Sequence, residues 1–214
     1  MTIWPLFDIR IRTPRLELRL PTDDLGFALA EVAAAGIHPP EFMPFLVPWT
    51  DVPPPLQQRN SMQHWWSNRA LWQPEKWIAN FAVLYEGQPI GSQGVHADDF
   101  SVRRAVETGS WLGQAFQGQG FGKEMRVAAL QFAFAGLGAE WALSGADIEN
   151  GASNGVSNWI GYEVDGHHLD SVRGEPRWTR RYRLGRTAWA KRYGEIDTPV
   201  TIEGLKECRD WFGA

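Results

Sequence analysis

One run, from Glu107 to Ala135, constrains this 214-residue chain more than any other. A strand-like segment, Glu107–Leu112, is followed by glycines at 113, 118, 120 and 122, and the glycines give way to an apolar helical stretch from Lys123 to about Ala135. The first N–H groups of a helix have no partners within it, and a strand–turn–helix order aims them at one point. The helix dipole adds partial positive charge there, and glycines let an anion come close to the backbone. Lys123 adds a full charge. The run therefore predicts a phosphate cradle at a strand-to-helix junction.

Spacing separates the kinds of cradle. A Walker loop requires a glycine five residues before Gly122-Lys123, but Gln117 stands there, and Glu124 stands where Ser or Thr belongs. A dinucleotide fingerprint runs G-x-G-x-x-G, whereas here the order is G-x-G-x-G with no early βαβ unit around it.

The rest of the chain alternates strand-like and helix-like segments, which predicts an α/β layer structure. Strands are expected at Arg15–Leu20, Ile78–Tyr85, Pro89–Asp98 and Ala105–Leu112, the last three joined by short connections into an antiparallel meander. Trp141–Ala146 reads as a further strand, with Tyr162–Leu169 and Trp178–Leu184 as a final pair. Helices are expected from an Asp23 N-cap through Ala34, from Leu56 to Leu71, and from about Ser153 to Ile160-Gly161. Residues 36–55 are crowded with prolines, with Phe42, Phe45 and Trp49 among them. They form either a substrate-side loop or an ordinary connection with aromatic anchors.

Composition narrows the partners. Apolar residues make up 43%, enough for one domain with a full core, and the 12 Trp against 4 Tyr predict aromatic-walled clefts. A net charge of −4 with both signs interspersed gives no global pull toward nucleic acid or an anionic membrane. Cys208 is the single cysteine, so no internal disulfide forms. The stretch Met1–Pro5 lacks a signal-peptide pattern and no run suits a membrane span, so a soluble, cytoplasmic protein is expected.

The hexapeptide Gln117-Gly118-Gln119-Gly120-Phe121-Gly122 fits Q/R-x-x-G-x-G/A, the loop with which GNAT acyltransferases hold the pyrophosphate of coenzyme A. Glu107-Thr-Gly-Ser-Trp-Leu112 resembles the fourth strand of that superfamily. Asn150-Gly-Ala-Ser153 with Gly161-Tyr162 resembles its N-x-x-S…G-F/Y signature. Arg12-Thr-Pro-Arg-Leu-Glu-Leu-Arg19 is similar to the opening strand of the branch containing the ribosomal-protein N-terminal acetyltransferases. The resemblance covers about residues 10–190. It implies an α/β (α+β) fold whose mixed, mostly antiparallel sheet is splayed between the family's fourth and fifth strands and flanked by helices. One domain over residues 1–214 is expected, with a C-terminal helical tail at about 196–214 containing an amphipathic helix, Ile202–Phe212.

Acyl transfer to an amine needs a held thioester, a neutral nucleophile, a route for the ammonium proton and stabilisation of the oxyanion. The resemblance implies that main-chain groups around Trp111, Leu112 and Gly113 bond the pantetheine arm like an added strand, and that residues Gln117 to Gly122 with Lys123 hold the pyrophosphate. It also implies Glu107 as the base, sharing a strand face with Gly109 and Trp111 and helped if burial raises its pKa. Asp98 and Asp99 are substitutes. Asn150 is expected on the pantetheine amides and Ser153 near the leaving sulfur, although both residue types also suit helix capping. Many family members carry a tyrosine acid seven residues after Asn150; here Ser157 stands there.

The expected activity is transfer of an acetyl, succinyl or other short acyl group from acyl-coenzyme A to a primary amine: a protein N-terminus, a lysine or a small amine. No metal is expected, since His167 and His168 point to opposite faces of a strand. The competing reading is a coenzyme A-binding sensor or scaffold without catalysis. Arginines 173, 177, 180, 181 and 183 form the one basic segment, read as a solvated strand face before an RNA surface. Self-association into a homodimer is left open.

Overall fold

The computed structural model describes residues 3–214; Met1 and Thr2 of the N-terminal stretch lie outside the described residues. In chain order the elements are β1 (Arg10–Arg12), β2 (Leu16–Arg19), α1 (Asp23–Ala34), α2 (Leu56–Ala70), β3 (Lys76–Tyr85), β4 (Gln88–Asp98), the one-turn α3 (Phe100–Arg103) and β5 (Ala105–Leu112). There follow α4 (Phe121–Gln131), β6 (Trp141–Asp147), α5 (Gly151–Ile160), β7 (Glu163–Val172), β8 (Glu175–Gly185), α6 (Arg186–Tyr193) and β9 (Thr201–Glu203). All strands join one 9-stranded sheet in the order β7-β8-β6-β5-β4-β3-β2-β1-β9.

Every pairing is antiparallel except β5–β6, which are joined by the crossover that contains α4. That parallel ladder runs only from Ala105↔Trp141 to Thr108↔Ser144, so beyond Thr108 the strands part and the β6-facing edge of residues 109–112 has no strand partner. The expected splay is present. It opens toward the glycine loop.

Burial alternates along β5. Val106, Thr108 and Leu112 are buried. Thr108 meets Tyr162, and Ser110 meets Arg126 of α4. On the other face Trp111 packs against the cluster of Leu29, Ala30, Met62 and Trp65 from α1 and α2. The α4 helix lies deep, with Met125, Val127, Ala128, Ala129 and Leu130 between 0% and 3% exposed, as an all-round apolar helix requires. It does not run regularly to Ala135; from Phe132 to Leu137 it widens into a π turn that closes at Gly138.

Two local expectations are corrected. Thr22, not Asp23, is the N-cap residue of α1, and the Asp23 carboxylate accepts hydrogen bonds from Trp66 and Arg69 of α2. The tail is not an amphipathic helix. Ile202 lies in β9 paired to β1, and only Lys206–Phe212 turns, as 3₁₀ structure kinked at Cys208. Its apolar residues dock individually: Phe212 is 0% exposed, against Trp77 at a centroid distance of 4.9 Å.

Candidate active site

The glycine loop lies between β5 and α4, with Gly118 at φ +75° and Gly120, the N-cap residue of α4, at φ +84°. Both are left-handed conformations that a Cβ disfavours. The N–H groups of Gly118, Gln119, Gly120, Phe121 and Gly122 donate to no acceptor among the described residues. A run of unpartnered donors at a helix N-terminus is the arrangement that suits an anion with several oxygens.

The side chains do other work than the backbone. Gln117 donates through Nε2 to Ile37 O at 2.7 Å and to Leu112 O at 2.8 Å, which ties the loop to the end of α1 and to β5. Gln119 donates to Ala115 O. Phe121 is buried under the Arg15 guanidinium, 4.5 Å from its ring centroid. Lys123 places its ammonium 5.0 Å over the Trp159 ring, beside the loop.

Glu124, on the first turn of α4, explains the Thr13-Pro14-Arg15 segment. Its buried carboxylate accepts from Thr13 Oγ1 at 2.6 Å, Arg15 N at 3.0 Å and Arg15 Nε at 2.6 Å. Arg15 Nη1 also reaches Gln119 O at 3.2 Å. The start of the chain is thereby pinned to the helix end that presents the loop.

Asn150 and Ser153 act as a helix cap: Asn150 is the N-cap residue of α5 and its Oδ1 accepts from Ser153 N at 3.0 Å. Asn154, one residue on, is a buried hub that donates to Asp147 O and Asn150 O, both at 2.8 Å, and accepts from Tyr182 at 2.7 Å. Ser157 is 1% exposed.

Glu107 lies on the Trp111 face of β5, and its side chain is 54% exposed. Its carboxylate is 3.4 Å from His96 Nε2 on β4. That hydrogen bond holds the carboxyl below the usual glutamate range, outweighing the upward push of partial burial. The expectation of a raised pKa is therefore corrected: a charge-stabilising neighbour dominates desolvation here. Asp98 pairs with Lys76 instead.

Two features went unread in the sequence. The proline-rich segment is strapped to the β7–β8 hairpin, with Arg173 donating to Asp51 Oδ2 at 2.9 Å and Pro40 O at 3.0 Å, and with Arg177 stacked 5.6 Å over Phe42. Trp49 also leans on Trp111 at 5.9 Å, so this segment walls the Glu107 face of the splay. The arginine run is thus mostly spoken for: Arg177 bonds Asp147 and Glu149, and Arg183 reaches Glu163 and Asp165. The second feature is Arg126, a charge on an otherwise apolar helical run with no acid three or four residues away, which is the signal that marks it.

Among the described residues no cluster of three or more His, Cys, Asp or Glu is arranged to hold a metal, and no helix is long and apolar enough to cross a membrane.

The acetyltransferase (GNAT) domain model matches residues 15–163, well over half of the chain. Similar solved structures include RimJ of Mycobacterium smegmatis in complex with a coenzyme A disulfide, at 15% identity and TM-score 0.69 over 89% of this chain and 95% of that one. RimL, a ribosomal-protein alpha-N-acetyltransferase in complex with coenzyme A, is 18% identical at TM-score 0.66 over 82% and 96%. A GNAT-family acetyltransferase from Bacillus anthracis is 17% identical at TM-score 0.63 over 83% and 99%.

Proposed function

As this chain belongs to the GNAT acetyltransferase family, we propose that it moves a short acyl group, acetyl or succinyl, directly from acyl-coenzyme A to a primary amine in the cytoplasm. The observation that carries the reading is the row of unpartnered N–H groups from Gly118 to Gly122 beside an open edge of β5. The row fits the pyrophosphate. The open edge at Gly109–Leu112 continues from it and suits the pantetheine amides, with Gly113 at the bend and Asn150 and Ser153 at the head of the facing helix.

The two faces of the sheet divide the substrates. The donor enters from the α4 side, and the acceptor amine approaches from the face carrying Glu107 and Trp111, where Glu107, directly or through water, takes the proton that the attacking amine loses. Main-chain N–H groups at the splay stabilise the charge that develops on the thioester oxygen, and the thiol leaves toward the loop. Positioning contributes much of the rate, because Ser157 stands where many family members carry the tyrosine acid.

The same Ser157, buried at 1% exposure, favours a second reading, a coenzyme A-binding sensor without turnover. One experiment separates them: release of free thiol from acetyl- and succinyl-coenzyme A against N-terminal peptides, lysine peptides and small amines. Turnover with any pair supports transfer. Thermal stabilisation by coenzyme A with no turnover across the panel supports the sensor.

A further inference from the structure

Arg126 is 3% exposed, yet among the described residues no carboxylate lies within ion-pairing distance of it. Its partners are all neutral: Gln93 Oε1 at 3.5 Å, Ser144 Oγ at 3.2 Å and Ser110 Oγ at 3.3 Å. These are long bonds for a cation whose charge-assisted contacts to an anion run shorter. Glu124, the acid nearest in sequence, is committed to Arg15, and Asp147 on β6 is committed to Arg177. A buried guanidinium left without an anion is costly unless something arrives to pair with it.

Its place in the fold says what arrives. Ser144 lies opposite Thr108, the last pair before β5 and β6 part, and Ser110 stands on the parted segment and is open to solvent. The guanidinium therefore sits at the closed end of the slot whose open end is the glycine loop. Resting on the reading above, in which the loop holds the pyrophosphate and the arm runs along β5, this closed end is where the acyl chain lies. We infer that Arg126 recognises a carboxylate at the far end of the acyl group, so that the preferred donor is a dicarboxylic acyl-coenzyme A of the succinyl type rather than acetyl-coenzyme A. The three neutral contacts take one N–H on each guanidinium nitrogen, which leaves two of its five donors for a carboxylate, and that anion displaces the long serine bonds in favour of shorter charge-assisted ones.

Calorimetric binding of coenzyme A, butyryl-coenzyme A and succinyl-coenzyme A tests this without an acceptor or turnover. Succinyl- and butyryl-coenzyme A match in chain length and differ in the terminal charge. The expected result is that succinyl-coenzyme A binds about tenfold to hundredfold tighter than butyryl-coenzyme A. Arg126→Met should bring the ratio close to one, and Arg126→Lys, which keeps the charge without the fork, should fall between. Equal affinities in the unaltered protein, or a succinyl preference that survives both substitutions, would overturn the inference while leaving the loop's role intact. Failure of coenzyme A itself to bind would overturn the loop reading instead.

Discussion

At the residue scale, the same side-chain chemistry is set to different tasks by what surrounds it. Glu124 and Glu107 are both carboxylates on elements that flank the splay. Glu124 is buried and saturated by Thr13 and Arg15, so it fixes structure. Glu107 is half-exposed on the Trp111 face of β5, with His96 3.4 Å away as its hydrogen-bonding neighbour. Its folded pKa is depressed, so the stability it adds is present above the ordinary carboxylate range and is lost as pH falls through the folded value. Across the neutral range it stays ionised, which makes it an available but weak base. Glu107→Gln should accordingly lower kcat by about 10²-fold, the low end for a general base. It should not move an acid limb lying above about pH 6, which then belongs to the acceptor ammonium. Initial rates of thiol release across pH check both statements, and an unchanged kcat removes Glu107 from the chemistry.

At the element scale, the strand–loop–helix unit works because its glycines take conformations that other residues resist. Gly120 sits at φ +84° as the N-cap residue of α4, and a Cβ there would stand 3.4 Å from Arg15 Nη2. Alanine in the left-handed region costs about 1–2 kcal/mol. Relieving that strain turns the Gly120 and Phe121 N–H groups away from their common point. Gly120→Ala should weaken coenzyme A binding about tenfold, the same energy expressed as affinity. Calorimetry decides it, and undiminished affinity would mean that the cradle does not depend on this conformation. The strap between residues 36–55 and the β7–β8 hairpin belongs to the same scale. Its ion pair, Arg173 with Asp51, lies near the surface and contributes little stability.

At the scale of the whole molecule, the last residues complete the core rather than trailing from it. Phe212 fills a space bounded by Trp72, Trp77 and Phe132, and Trp77 Nε1 donates to Phe212 O at 3.0 Å. Phe212→Ala should cost about 3–5 kcal/mol of stability, read from the shift of the urea unfolding midpoint; a shift under about 1 kcal/mol would show that the tail docks only loosely. With α3, α6 and β9 excepted, the sequence by itself determined most of the order of elements up to β8, the meander, the glycine loop ahead of α4 and the family. Those rest on period-2 alternation, glycine placement and fixed local spacing, each of which acts over a few residues. It also showed that Asn150 and Ser153 suited a cap, because capping is a three-residue matter. Only the tertiary structure decided the rest. It set a histidine on a neighbouring strand beside Glu107, folded a proline-rich loop onto a hairpin more than a hundred residues away, and turned the tail into a strand and a plug. It also left Arg126 buried at the end of the splay without an anion. Burial, and the partners that lower a carboxyl's pKa or leave a cation waiting, come from contacts between distant segments, and no local pattern in the chain encodes them.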